Sequence, residues 1–316
     1  MGKTQKINRS ELYNKYAIYL VFIVMIILST ILTNNFLKWS NIINILLQAA
    51  PIMMIACGET LVLICGMTDL APGAVLAFSG CVGIGITQLT NNALLGGLTG
   101  IIAGILFGLI SGIAVSRFNI PPFIATLATM NIARGAVYVY TDGKTLYNIG
   151  DFAFYGQGKI AGIHAPIVFM LGAILITYFL LNHTKFGRYL YAIGGNEYAA
   201  VASGVNSKRI KIIAYLIIGA FSGLAGVVLC SRLNSGVPSV GLSYEFDAII
   251  AAVVGGTSFS GGIGTVGGTI VGCLIIALLN NMMNLMSVQA YWQLIVKGVV
   301  ILLAVGVDMA KKRDRN

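Results

Sequence analysis

The sequence predicts an all-α, polytopic integral membrane protein with about ten transmembrane helices and both termini in the cytoplasm. Three observations predict it. Hydrophobic residues make up 57% of the 316 positions and charged residues only 9%, against about 25% charged in a soluble domain. Mean hydropathy is +0.88, so most of the surface must be solvated by lipid. Apolar runs near the ~20 residues that cross hydrocarbon recur along the whole chain.

Ten segments meet this requirement, at roughly 17–33, 43–64, 72–90, 94–115, 121–140, 166–182, 210–230, 246–259, 264–284 and 291–308. The first follows Lys3, Lys6, Arg9 and Lys15, and no small-residue cleavage site follows it, so it reads as an uncleaved span. The second carries Glu59. The third follows the Gly/Pro-broken stretch CGMTDLAPG (Cys65–Gly73). In the fourth, Gly96, Gly100, Gly104, Gly108 and Gly112 recur every fourth residue. Gly219 with Gly223 repeats this spacing in the seventh segment, and Gly264, Gly268 and Gly272 repeat it in the ninth. Such faces let helix backbones approach closely in lipid; they predict a tight bundle and say little about cargo. The eighth segment is short and ends in glycines.

Lysine and arginine set the orientation. With the N-terminus inside, the inner segments hold fourteen basic residues: Lys3, Lys6, Arg9, Lys15, Arg117, Lys185, Arg188, Lys208, Arg209, Lys211, Lys311, Lys312, Arg313 and Arg315. The outer segments hold four, namely Lys38, Lys144, Lys159 and Arg232, while Arg134 and Lys297 lie within spans. The net charge of +10 is therefore a topology signal rather than a nucleic-acid footprint. Two longer polar segments stand out, an external one at 141–165 and a basic internal one at 183–209. Neither is large enough to be a soluble domain, so whatever powers this chain is another chain or a gradient.

Several catalytic classes fail on spacing. The triplets Gly2-Lys3-Thr4 and Gly143-Lys144-Thr145 lack the glycine that a phosphate loop needs five residues earlier; Tyr138 stands there for the second. Gly255–Gly262 (GGTSFSGG) lacks the G-x-S-x-G spacing of a serine nucleophile. His164 and His183 flank opposite ends of the sixth segment and share no metal. The five cysteines, Cys57, Cys65, Cys81, Cys230 and Cys273, read as small apolar packing residues. No catalytic residue, metal site or bound cofactor is expected.

Ionisable groups inside apolar runs carry more weight, because charge in hydrocarbon is costly and usually functional. Glu59 and Arg134 read as lining a polar pathway or forming a buried pair. Asp69, Asn131 and Asn234 join them as candidate path residues, with Tyr138 and Trp292 more readily explained as core packing. Glu245 and Asp247 read as interfacial, with Asp247 near a helix N-terminus that favours an anion.

The internal segment FGRYLYAIGGNEYAAVASGVNSKRIK (Phe186–Lys211) resembles the cytoplasmic loop of the ribose-type permeases of ABC importers. Matching positions are Gly187, Arg188, Ala192, Gly194, Gly195, Asn196, Ala199, Ala200, Gly204, Val205, Arg209 and Lys211. PPFIATLATMNIARG (Pro121–Gly135) and the stretch Ser231–Gly272 are similar to further signatures of that family, as are LNNMMNLMSV and KGVVILLAVGVD, and all occur in family order. One departure is visible: relatives read GGIDLSVG where this chain reads CGMTDLAPG, retaining Asp69 and Gly73 but bringing in Cys65 and Pro72.

The resemblance implies a single transmembrane permease domain over 1–316 in the bacterial inner (plasma) membrane. It would have a cytoplasmic N-terminal tail at 1–16, a cytoplasmic coupling loop at 183–209 and a C-terminal tail at 309–316. It implies a second permease copy or paralogue, two cytoplasmic ATPase subunits that bind the ATP, an extracytoplasmic sugar-binding protein, membrane lipid and a monosaccharide substrate. Gly194, Gly195, Asn196, Glu197, Ala199, Ala200, Gly204 and Val205 would couple to the ATPase. Asn196 is placed to cap a helix that Glu197 begins. Nucleosides, autoinducer-type sugars and branched-chain amino acids are alternative cargoes. A gradient-driven secondary transporter and a non-transporting scaffold are rivals from other classes.

Overall fold

A computed structural model describes residues 9–33 and 35–313. The positions Lys3, Lys6 and Arg315, and the Gly2–Thr4 triplet, lie outside the described residues. In chain order the helices are α1 (Arg9–Leu32), α2 (Trp39–Ile64), α3 (Pro72–Thr90), α4 (Ala93–Ser116), α5 (Pro122–Thr141), α6 (Phe154–Gln157), α7 (Ala165–His183), α8 (Lys185–Gly195), α9 (Glu197–Ala202), α10 (Ser207–Arg232), α11 (Tyr244–Val254), α12 (Val266–Leu285) and α13 (Ala290–Arg313). Sequence chemistry sets many of these ends. Pro72 and Pro122 stand in the first turns of α3 and α5, where no amide donor is needed. Asn92 caps α4 by accepting from the Leu95 amide, and Thr265 caps α12 by accepting from Gly268.

Among the described residues, α2, α3, α4, α7, α10 and α12 are long and apolar enough to cross a membrane, and Ile18–Leu32 of α1 and Tyr291–Leu303 of α13 are shorter apolar stretches. The protein is thus a polytopic helical membrane protein. Several expected boundaries shift. The eighth segment, expected at 246–259, is an 11-residue helix that stops at Val254; at 1.5 Å per residue it rises only about 16 Å. Gly255 and Gly256 end it, and Gly256 sits at φ 89°. The tails at 1–16 and 309–316 run into helix, since α1 begins at Arg9 and α13 continues to Arg313. The internal loop at 183–209 folds into α8 and α9. The external segment at 141–165 contains a 3-10 turn at Gly150–Ala153, α6, and the hairpin of β1 (Lys159–Ile160) with β2 (Ile163–His164).

The glycine stripes do the packing that their spacing foretold. Helix α10 runs through the middle of the bundle against α2, α3 and α4. A Cβ on Gly104 would overlap the Gly219 carbonyl, and one on Gly108 would overlap that of Tyr215. Gly100 meets the Ser79 carbonyl of α3 and the Val227 side chain of α10. On α12, Gly268 and Gly272 lie against the backbone of Gly255 and Ala251 at the end of α11. Gly264 is the exception, lying in the turn ahead of α12 rather than on its face. In lipid these close backbone contacts supply the attraction that water would otherwise provide.

Candidate functional site

Two features of the bundle stand out. In the first, α8 packs on the C-terminal end of α2, and α9 lies against α8 and α10. Asn196 accepts from the Ala199 amide at 3.0 Å and begins α9, as its sequence position predicted. Lys211, in the first turns of α10, reaches back to Glu197 at 2.7 Å. Partial burial pushes the Glu197 carboxyl up, but hydrogen bonds from Lys211 and Ser207 outweigh it and hold its pKa below the ordinary carboxylate value. The Gly204 amide donates to Val201, and the residue takes a left-handed φ of 87° that ends α9. Ala200 is buried, while Asn196, Ala199 and Gly204 are exposed.

The small residues of this loop divide into two groups. Gly194 is packed inside the chain: a Cβ there would overlap the Ile64 carbonyl and lie 2.5 Å from the Gly262 amide. A Cβ on Gly195 or Gly204 would meet nothing. Gly194 therefore closes the loop onto α2, and the free surface belongs to Gly195, Ala199 and Gly204. The most exposed apolar residue of the loop is Tyr198, at 91%, with Val201 at 50%.

The second feature is the non-helical stretch between α2 and α3. Backbone can leave the helix within a membrane domain only where protein satisfies its polar groups. Here Gly66 and Met67 donate to Leu63 and Val62 at 2.8 and 3.0 Å. The Asp69 amide donates to Glu59 Oε1 at 3.2 Å, and the Ala71 amide to Asp69 Oδ1 at 2.8 Å. The Tyr215 hydroxyl donates to the Thr68 carbonyl at 3.0 Å. Glu59 and Asp69 are thus both buried and hydrogen-bonded to the break. Gly73, just inside α3, leaves room for the Glu245 carboxylate.

Arg134 does not pair with Glu59. Its Nη1 donates to the carbonyls of Pro238 at 2.8 Å and Val240 at 3.0 Å, holding the segment before α11 against α5. Asn131 is exposed on α5 and donates only to the Leu127 carbonyl, one turn back. Asn234 is exposed at a left-handed turn. Glu245 and Asp247 stand in the first turn of α11, the helix N-terminus expected for Asp247, and are 7% and 2% exposed. Asp247 Oδ2 forms an ion pair with Lys297 Nζ at 2.7 Å, joining α11 to α13. Tyr138 and Trp292, expected to pack in the core, are 43% and 60% exposed.

A family model described as "branched-chain amino acid transport system / permease component" matches residues 41–305, most of the chain. The chain belongs to this permease family. The ribose import permease protein RbsC of Bacillus subtilis is 43% identical to the permease, over 97% of this chain and 96% of the relative. Escherichia coli RbsC is 40% identical, over 93% of each. The E. coli D-allose transport system permease protein AlsC is 35% identical, over 95% of this chain and 93% of the relative. No solved structure matches the chain. Its helices and its relatives make the permease a multi-pass protein of the bacterial inner membrane.

Sequence reasoning missed three features of the permease. Tyr198 and Val201 are apolar positions three apart in a six-residue helix whose buried side is Ala200, a pattern that leaves them outward. The Asp247–Lys297 pair joins residues 50 positions apart and had no local signal. Asn280 and Asn284 lie four apart in the apolar α12, hence on one face, and that spacing was legible. The Arg134 contacts give a direct prediction. Arg134→Ala removes both donors to the 238–240 backbone, so cargo uptake should fall about tenfold while the membrane level stays normal. Immunoblotting of membranes beside uptake checks this, and normal uptake at normal level would leave Arg134 a packing residue.

Proposed function

We propose that this permease is the membrane-spanning subunit of an ABC importer that moves a monosaccharide, ribose or a similar sugar, into the cell. An extracytoplasmic binding protein delivers the sugar to the end that holds the 141–165 segment. Separate cytoplasmic ATPase subunits bind the ATP and drive transport through the opposite end, and the permease itself performs no chemistry. The chain crosses the membrane ten times, with both termini inside. A second permease copy or paralogue completes the pathway. The polar Asn131 on the exposed face of α5 supports that partner, because polar groups in membrane helices face protein or a water-filled path rather than lipid. We assign Arg134, one turn along α5 from Asn131, and Asn234 to the same path, while Glu59 and Asp69 shape it by fixing the break between α2 and α3.

The observation that carries this reading is the exposed surface of α9. A short helix, capped by Asn196 and anchored by Lys211, presents Tyr198 outward with Val201 half exposed beside it. A rigid apolar knob of this kind fits a cleft on a partner, with Gly195, Ala199, Gly204 and the neighbouring Val205 allowing close approach.

The test is a single cysteine at Ala199 in full-length permease whose five native cysteines, all buried, have been replaced. Cross-linking in membranes at native expression should capture an ATPase subunit. Tyr198→Ala should lower sugar-stimulated ATP hydrolysis about tenfold at unchanged membrane level. A cysteine that reacts from the cytoplasm yet captures no ATPase would favour a gradient-driven transporter instead. The family description favours one second reading, a branched-chain amino acid cargo. Uptake of leucine but not of D-ribose or D-allose by the complete importer would establish it.

A further inference from the structure

Away from the coupling loop, at the end of the bundle that holds the 141–165 segment, a cavity of about 310 Å³ opens between α2, α10, α11, α12 and α13. Its place is fixed by Arg232, the last residue of α10. Gln157 of the 141–165 segment donates to the neighbouring Ser231 carbonyl at 3.0 Å. The lining is polar for a membrane domain and includes the amides of Gln48, Asn280, Asn284 and Gln293 together with Asp247 and Lys297. None of these groups served the sequence-level reading of the pathway.

Two acceptors here lack donors among the described residues. Asp247 gives Oδ2 to Lys297, but its Oδ1 is buried with no hydrogen-bond partner. The Asn280 Oδ1 is buried and unpartnered as well. Both residues line the cavity. Unmade bonds at buried polar atoms are expensive, so the cavity calls for a ligand or solvent that brings donors. An anion brings none. A cation would meet Lys297 and the Arg232 guanidinium, which already donates to the Leu47 carbonyl at 2.7 Å. A neutral, hydroxyl-rich molecule satisfies acceptors and amide donors alike, and the volume lies at the lower end of the ~300–1,000 Å³ of small-molecule sites.

We propose that this cavity is a monosaccharide subsite within a single permease chain, occupied on the delivery side before passage through the bundle. The proposal rests on the importer reading. Asp247 and Asn280 accept from sugar hydroxyls, and the Gln48 and Asn284 amides complete the lining. The Asp247–Lys297 pair is neutral as a unit and Arg232 adds one positive charge, so the lining repels cations, while an anion brings no donor for the two orphan acceptors.

The test uses the complete importer. Asn280→Leu keeps the side-chain size and removes the amide; it should lower D-ribose or D-allose uptake about tenfold, with the membrane level and the Ala199 cross-link to the ATPase retained. In the cysteine-replaced background, Asn280→Cys should react with a membrane-impermeant maleimide from outside. Millimolar D-ribose or D-allose should slow that reaction roughly threefold, and equal L-leucine should not. If Asn280→Leu fails to reach the membrane, the protection experiment decides. Uptake within about twofold of wild type in Asn280→Leu, or labelling unchanged by either sugar while the wild-type importer transports it, overturns the subsite alone. A wild-type importer that moves neither sugar overturns the importer reading and the subsite with it.

Discussion

Lys297→Met is expected to destabilise the permease by about 3–5 kcal/mol, the usual cost of removing one partner from a buried ion pair. Asp247 is 2% exposed and its one ionic partner among the described residues is Lys297, at 2.7 Å. Its other carboxylate oxygen already lacks a hydrogen bond. Methionine preserves most of the lysine stem, so the loss is electrostatic rather than a cavity. Adding Asp247→Asn removes the stranded charge, and the double variant should recover most of the stability. Thermal unfolding of the purified chains in one detergent measures both, as a double-mutant cycle. A single variant that melts with the wild type would show that water already screens Asp247.

Gly194→Ala should be nearly as damaging, although it adds only a methyl group. The Gly262 amide donates to the Ile64 carbonyl at 2.8 Å, and Gly194 lies over that bond. The new Cβ would overlap the Ile64 oxygen, and both atoms in its way are backbone, which cannot swing aside as a side chain can. The loop must lift or the bond must break, at a cost of about 1–3 kcal/mol. The expected result is poor accumulation in the membrane and a lowered melting temperature. Gly195→Ala is the comparison, since its Cβ meets nothing; it should melt like wild type. A Gly194→Ala variant that accumulates and melts normally would return Gly194 to the docking surface.

These two cases mark where sequence reading stopped. Hydropathy located α2, α3, α4, α7, α10 and α12 because a membrane helix is a local property, set by about 20 side chains and an internally bonded backbone. The four-residue glycine spacing on α4 and α10 announced close packing before any partner was known, and Asn196 announced the start of α9. Each of these signals lies within a few residues of what it specifies. The eighth segment was misjudged because the sequence could not say that Gly255 and Gly256 turn the chain rather than continue the helix.

Composition, helix positions, the capped α9 and the permease resemblance were determined by the sequence alone. The tertiary structure decided which small residues face inward, as at Gly194, and which remain free, as at Gly195. It also moved Glu59 and Asp69 onto the backbone of a broken helix, gave Arg134 to the 238–240 segment, joined Asp247 to Lys297, and gathered amides from α2, α12 and α13 around one cavity. The physical reason is that pairing depends on the relative rotation and depth of separate helices. That arrangement is the sum of many weak packing contacts, and no local stretch of sequence encodes it.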